Sequence, residues 1–317
     1  MVGFDRWCWP YADPRTLLPL DGIAEHDFGP HVWRALELEY SGGEFAAKHV
    51  LARSDESACS LGIETGGDLA RSQRWDEVMR PVGIGDVATV ACRDMLGCWG
   101  WIEAYRDDSD GVFEEEDLEL LADVGDLLGG VLRRASVSSI EPSAVEAGGP
   151  GVVVLSPDLG VSSWTEPARG WIDALPAAAL FASWGMLPPP VYPVATLSRS
   201  PGSAGDAQAL QRAADGRWVM IEAAPLGGED DGRIAVSFRR ATPTETFDVL
   251  CRGHGLTRRE RAVVAALLAG LDTRAVTTRL FISPHTVQDH LKSVFDKVGV
   301  HSRRELLTTF TGSPEPA

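Results

Sequence analysis

Apolar and polar positions follow two rhythms along this 317-residue chain. Up to about residue 240, short runs of period two alternate with helical stretches, and from Leu256 onward the period is helical throughout. In the first stretch Phe4 to Pro10, Leu17 to Ile23 and Gly97 to Arg106 predict strands, while His31 to Tyr40, Phe45 to Ala52 and Phe113 to Arg134 predict helices. Strict alternation in the last of these strands puts Trp99, Trp101, Glu103 and Tyr105 on one face and Cys98, Gly100, Ile102 and Ala104 on the other. The long helix has Glu114 to Asp117 at its positive end and Arg133 and Arg134 at its negative end. Its Leu121, Val124, Leu128 and Val131 recur at three and four, a stripe suited to the protein's own sheet or to a second copy of the helix.

A Ser-, Gly- and Pro-rich stretch, 136–150, predicts a linker. Beyond it Val152 to Leu155 and Val161 to Thr165 predict strands around the turn Pro157-Asp158-Leu159-Gly160, and Glu166 to Leu175 a helix. Trp218 to Ala224 and Ile234 to Arg239 predict two further strands, with Asp215-Gly216 as a hairpin turn. No internal sequence repeat is visible.

The tail predicts a linker helix over 241–255 and then four helices. Leu256 to Gly270 opens on the capping box Thr257-Arg258-Arg259-Glu260, and Thr273 to Leu280 is shorter. Phe281-Ile282-Ser283 makes a tight turn, and the helix after it has Ser283 as cap, Pro284 in the first turn and Val287, Leu291 and Val294 on one face. The last helix begins at Ser302-Arg303-Arg304-Glu305, a second capping-box sequence, with Leu306, Leu307 and Phe310 directed to the core.

This tail resembles the LuxR-type (GerE-like) four-helix DNA-binding domain. The resemblance rests on Leu256-Thr257-x-Arg259-Glu260, Gly270, Leu280-x-Ile282-Ser283, Thr286-Val287-x-x-His290-Leu291-x-x-Val294-x-x-Lys297 and Ser302-Arg303-x-Glu305-Leu306. It implies that Gln288, Asp289 and Lys292 face the major groove of double-stranded DNA and that Thr286 faces the phosphates. Ser283, Val287, Arg303 and Arg304 complete the expected DNA-binding set, the two arginines as sequence-independent contacts. The chemistry suits these roles, since Gln pairs with adenine, Asp accepts from cytosine N4 and Lys reaches guanine or phosphate. Residues 75–134, with Pro81-Val82-Gly83-x-Gly85-Asp86, Trp99-Gly100, Tyr105-Arg106 and Phe113-x-x-Glu116, resemble GAF-like sensor domains. The element order of 151–240 resembles a PAS-type domain, with Glu166-Pro167-Ala168 where that family has Asn-x-Ala. The expected architecture is therefore multidomain: an α+β GAF-like domain (1–135), the linker, an α+β PAS-like domain (151–240), the linker helix and an all-α LuxR-type domain (256–311).

Charge supports a nucleic-acid partner for the tail alone. Residues 251–317 hold ten Lys and Arg against six Asp and Glu, whereas the whole chain carries a net charge of −17. There is no phosphate-binding loop, dinucleotide fingerprint, nucleophile elbow or paired-His zinc motif, so no enzyme activity, cofactor or metal is expected. A receiver domain's set of acidic residues and Lys is also missing. Five cysteines without a Cys-x-x-Cys pair predict free thiols, and the lack of a long apolar run predicts a cytoplasmic protein. The expectation is a homodimeric transcriptional regulator whose sensor domains control DNA occupancy. Trp99, Trp101, Glu103 and Tyr105 are candidate contacts to a small-molecule effector, and the alternative is that these domains only dimerise or bind a partner without any ligand.

Overall fold

The computed structural model describes residues 2–25, 28–138, 148–200, 207–227 and 232–312. The greater part of the expected linker at 136–150 lies outside them. The chain divides into two compact units, Met1–Leu132 with Ser139–Arg240, and Arg133–Ser138 with Ala241–Ala317. Among the described residues no helix is long and apolar enough to cross a membrane.

The first unit holds two modules. The first module contains β1 (Arg6–Ala12), β2 (Pro19–Glu25), α1 (Val32–Tyr40), α2 (Lys48–Leu51), β3 (Ala58–Ser60), α3 (Leu61–Glu64), β4 (Ile84–Asp94), β5 (Gly97–Asp107) and α4 (Glu115–Ser136). Its antiparallel sheet has the order β2-β1-β5-β4-β3. One face meets α4 through Ala88, Val90, Ala104, Phe113 and Leu121, and the other packs Leu38, Leu51, Met79, Val87, Trp101 and Tyr105. Helix α4 can lie this close because Gly125 and Gly129 have no side chain; a Cβ on Gly129 would stand 2.2 Å from the Arg93 carbonyl oxygen. The Asp86 carboxylate, fully buried, accepts from the backbone N–H of Gly62 (2.8 Å), Val87 (2.8 Å) and Phe113 (2.9 Å) and from the Ser60 hydroxyl, tying α3, β4 and the approach to α4 together.

The second module contains β6 (Gly151–Leu155), β7 (Val161–Trp164), α5 (Glu166–Ala174), α6 (Ala178–Ser183), α7 (Val191–Ser198), β8 (Gln208–Arg212), β9 (Trp218–Pro225) and β10 (Ile234–Arg240). Its sheet order, β7-β6-β10-β9-β8, is the same as the first when counted from each module's own first strand. The fold thus repeats where the sequence shows no repeat. The Asp215-Gly216 turn closes the β8–β9 hairpin, with Gly216 at φ +84°. Helices α5 and α7 cover the sheet over Val153, Val219, Ile221, Val236 and Phe238. The two modules share this core, because Leu18, Leu36 and Tyr40 of the first belong to it and α1 packs on α7. The buried Asp13 carboxylate accepts the Leu210 N–H at 2.7 Å across the same seam.

Three expectations are amended here. Only Lys48–Leu51 of the expected helix at Phe45 to Ala52 is helical. Strands β3, β4 and β8 were not anticipated; the interior of β4 is buried on both faces, so its polar–apolar alternation disappears. Strand β5 does not alternate strictly. Cys92 pairs with Gly100 but Arg93 with Cys98, so Trp99 is the extra residue of a bulge and turns to the α4 side with Cys92 and Leu132. Cys98 correspondingly joins Trp101 and Tyr105 on the opposite face.

The second unit is helical: α8 (Pro243–Gly253), α9 (Arg258–Leu268), α10 (Thr273–Leu280), α11 (Pro284–Val298) and α12 (Arg303–Thr311). Helix α8 has its own capping box, Thr242 with Glu245. It packs against α12, with the Phe247 and Phe310 ring centroids 5.9 Å apart. The end of α4 is held in this unit by Arg133, which donates to the Gly253 carbonyl at 2.8 Å.

Candidate nucleic-acid interface

The presentation of α11 follows from its neighbours. Thr257 and Glu260 form the reciprocal capping box that starts α9. The same Glu260 carboxylate, almost fully buried, also accepts from Ser293 (2.6 Å) and Lys297 (2.7 Å) of α11, so one side chain starts the scaffold helix and anchors the presented one. Burial pushes the Glu260 pKa up, but the Lys297 ammonium, the Ser293 hydroxyl and the Thr257 N–H outweigh it and hold the group at about 2.

Asp272 caps α10, where its carboxylate accepts from Ala275 N–H at 2.7 Å. Phe281 then takes a left-handed conformation, φ 54°, which turns the chain sharply toward α11. Ser283 accepts from Thr286 N–H at 3.1 Å, and Pro284 occupies the first turn where no donor is needed. Val287, Leu291 and Val294 are buried against the rest of the unit. That fixes the rotation of α11 and leaves Gln288, Asp289 and Lys292 exposed beside one another at helical spacing.

The residues expected to bind DNA therefore divide. Gln288, Asp289, Lys292 and Arg304 are exposed, and Asp289 lies 3.1 Å from His285 Nδ1, one turn earlier on the same helix. Ser283 and Thr286 bond to each other through their hydroxyls at 2.9 Å and are at the helix start. Val287 is a correction: it is wholly buried and seats the helix, so it has no surface to offer a base. Arg303 is half-buried and donates to the Leu271 carbonyl at 2.8 Å, which gives it a structural task beside any phosphate contact. The second capping box is also altered, since Ser302 caps Glu305 N–H while the Glu305 carboxylate bonds His301 N–H and the Ser302 hydroxyl.

The candidate effector residues divide as well. Trp99 lies on the α4 side of the first sheet, and its indole N–H meets Asp94 at 3.2 Å. Trp101 is fully buried in the core of the opposite face. Glu103 and Tyr105 sit on that face within a buried ionic cluster that the sequence did not announce. Lys48 Nζ lies 2.8 Å from Glu39 and 2.7 Å from Glu103, and Arg74 Nη1 is 3.4 Å from both carboxylates. Tyr105 donates to Glu103 at 3.1 Å. One signal was available: Glu39 falls three residues after Leu36 and beside Tyr40 on the apolar side of α1. Among the described residues no group of three His, Cys, Asp or Glu could hold a metal. The five cysteines are free, and burial raises the pKa of Cys8, Cys59, Cys92 and Cys251 to about 12.

Four short helices in which a capped helix, a left-handed turn and a second capped helix present one exposed polar face define the helix-turn-helix class. The family model for bacterial regulatory proteins of the luxR family matches residues 254–310. An HTH-type transcriptional regulator of Aeromonas salmonicida is 47% identical over 58 residues, 18% of this chain and 30% of that protein. One of Mycobacterium tuberculosis is 47% identical over 93 residues, 26% of this chain and 10% of that protein. The spore germination protein GerE of Bacillus subtilis is 38% identical over 50 residues, 16% of this chain and 68% of that protein. The chain belongs to the luxR family of bacterial regulatory proteins through its C-terminal helical domain. It spans about a third of the Aeromonas relative and a tenth of the mycobacterial one.

Proposed function

We propose that the protein is a sequence-specific transcriptional regulator that binds double-stranded DNA as a homodimer, reading bases with Gln288, Asp289 and Lys292 and phosphates with Thr286 and Arg304. The observation that carries this reading is the rotation of α11, in which the buried Val287, Leu291 and Val294 leave those polar side chains exposed together. The domain boundaries we adopt are a GAF-like module to residue 135, a PAS-like module over 151–240 and the DNA-binding domain over 256–311, with α8 supporting it. The common strand order of the two sheets favours relating both modules to that sensor class.

Dimerisation through α4 is supported by its outer face, where Leu120, Val124, Leu127 and Val131 recur at four, three and four and are all exposed. Leu127 is 77% exposed. Two copies brought together this way would place two recognition helices on successive half-sites, and a signal that alters the first unit would alter their spacing. If the modules only dimerise, the same stripe would suffice and no ligand would be needed.

Selection of genomic fragments by the full-length protein tests the reading. A shared inverted repeat is expected, with affinity falling as salt rises by a log–log slope of about −0.9 per phosphate neutralised. Gln288→Ala is expected to relax the preference for one base by about 1 to 3 kcal/mol, whereas Arg304→Ala weakens all sequences alike. Retention of random and selected DNA to the same degree by both variants would contradict the assignment.

A further inference from the structure

Each helix of the second unit is followed by a residue with left-handed backbone. After α8, α9, α11 and α12 that residue is a glycine, Gly255, Gly270, Gly299 and Gly312, at φ between 65° and 80°. After α10 it is Phe281, at φ 54°. A side chain with a Cβ is strained in this region and glycine is not, so the turn itself gains nothing from a phenylalanine. The ring gains nothing from burial either, being 94% exposed. Strain at a residue that could have been glycine points to a task outside the fold. Position narrows the task. Phe281 is two residues before Ser283, the cap of α11, and two residues of chain span at most about 7 Å. The hydroxyls of Ser283 and Thr286 are at that helix start, and the segment 277–287 has Arg279 exposed and no Asp or Glu.

We propose that Phe281 is a further DNA-contact residue, whose ring packs on the deoxyribose next to a phosphate held at the start of α11. The inference rests on the DNA-binding reading above and adds an apolar contact to its polar ones. Gln288, Asp289 and Lys292 lie beyond the cap, along the helix that enters the groove, whereas Phe281 lies before it, where a strand presents its sugar–phosphate edge. Between phosphates that edge is the C–H face of deoxyribose, an apolar surface flanked by negative charge. An exposed ring in a segment whose one permanent charge is the Arg279 cation complements it. Covering the ring takes apolar area out of water on both partners, which adds affinity without neutralising a phosphate. A protein partner is disfavoured by isolation, since Phe281 is the one large hydrophobic side chain exposed among the described residues of this unit and so stands alone, without the apolar patch that protein interfaces are built on.

The test uses full-length protein, the operator recovered by fragment selection and a random duplex of equal length, each titrated over a range of salt. Phe281→Gly keeps the left-handed turn and removes the ring. It is expected to bind both duplexes about tenfold more weakly, the loss that uncovering about half of a phenylalanine side chain produces. Its log–log salt slope should match that of the unaltered protein, because no cation is lost. Its melting temperature should stay level or rise, since the released strain offsets the added freedom of the unfolded chain. Phe281→Tyr, which retains the ring, should bind like the unaltered protein. Arg304→Ala, in contrast, should weaken both duplexes and reduce the slope by about one. Unaltered affinity of Phe281→Gly, a loss confined to the operator, a reduced slope or a lowered melting temperature would overturn the proposal. Loss of transcription control by Phe281→Gly with DNA affinity intact would assign the ring to a protein partner and overturn it as well. Expected effects of Gln288→Ala and Arg304→Ala beside an unaffected Phe281→Gly overturn the Phe281 contact alone, whereas failure of the unaltered protein to bind either duplex overturns the DNA-binding reading beneath it.

Discussion

The two modules of the first unit have one strand order and opposite interiors. The first buries Asp13, Glu39, Lys48, Arg74, Asp86 and Glu103. Among the described residues of the second, the buried polar side chains are Thr196 and Gln211, and its core is otherwise aliphatic and aromatic. The repetition extends to backbone detail. Leu17 follows β1 and Leu159 follows β6, each left-handed, at φ 60° and 62°, and Ala46 and Ala177 are left-handed just before α2 and α6. A sheet of this topology is stable with apolar filling alone. Charges in the first module are therefore not required by the fold, and replacing such a cluster by hydrophobes is often neutral or stabilising. Glu39, Lys48, Arg74 and Glu103 line a cavity between the two modules.

The largest effect that would break this comparison comes from removing one member of the cluster. Arg74→Ala leaves Glu39 and Glu103 with one cation between them and is expected to cost about 3 to 5 kcal/mol, as for other buried pairs deprived of a partner. Gln211→Leu in the second module removes a side-chain oxygen that has no partner among the described residues and should be close to neutral. Denaturant unfolding of the two variants measures both. Equal losses would mean that the two interiors are energetically alike.

Acid should separate the regions next. Burial opposes ionisation of Glu39, but Lys48 and Arg74 more than compensate and hold its pKa down at about 2, much as Lys297 and Ser293 do for Glu260. A carboxylate whose pKa is lowered in the folded state contributes stability above the ordinary carboxylate range and loses it as pH falls toward the folded value. For Glu260 the contribution at neutral pH is on the order of 3 kcal/mol, lost between about pH 4.5 and about pH 2. Pepsin cleavage mapped over that range should therefore open the first module and the helical unit before the second module, and Glu260→Gln should flatten the acid dependence of residues 241–317. Earliest opening of the second module would refute this.

Legibility in the sequence follows the same division. The helical domain was readable because its signals are local: Thr257 with Glu260, Ser283 with Pro284, and a 3.6-residue stripe each act within one or two turns. The sheets were half-readable. A strand with one wet face, such as β10, keeps its alternation, but β4 is buried on both faces and the bulge at Trp99 reverses β5 without leaving a mark on composition. Lys48 and Arg74 escaped notice because each looks like an ordinary surface charge, and of the cluster's members only Glu39, on the apolar side of α1, carried a signal. The repeat escaped notice because it lives in backbone conformation, not in residue identity.

Close helix–strand contacts sharpen the comparison at smaller amplitude, since both modules use a glycine for them. A Cβ on Gly129 would stand 2.2 Å from Arg93 O, and one on Gly151 would stand 2.4 Å from Ala168 Cα, backbone atoms that cannot swing aside. Each Gly→Ala change is expected to cost about 1 to 3 kcal/mol, with Gly129→Ala recovering up to about 1 kcal/mol through helix propensity. Thermal melts of the two variants check this, and stabilisation by either would show that its helix can move off the sheet freely.

The smallest effect concerns the paired left-handed leucines. A left-handed Leu carries about 1 to 2 kcal/mol of backbone strain that Gly does not, so replacement by Gly relieves strain and removes a side chain at once. Leu159 is 3% exposed and belongs to the core of the second module. Losing it forfeits burial worth about 2 to 5 kcal/mol, and the loss dominates. Leu17 is only half-buried, and its N–H bond to Asp13 O at 2.8 Å needs no side chain, so relief and loss should nearly cancel. Leu17→Gly is thus expected to lie within about 1 kcal/mol of the unaltered protein and Leu159→Gly well below it. The measurement is the denaturant midpoint at constant slope. A matching pair of midpoints would mean that the two turns do the same work despite their different burial, and the equivalence of the modules would then reach further than their backbones.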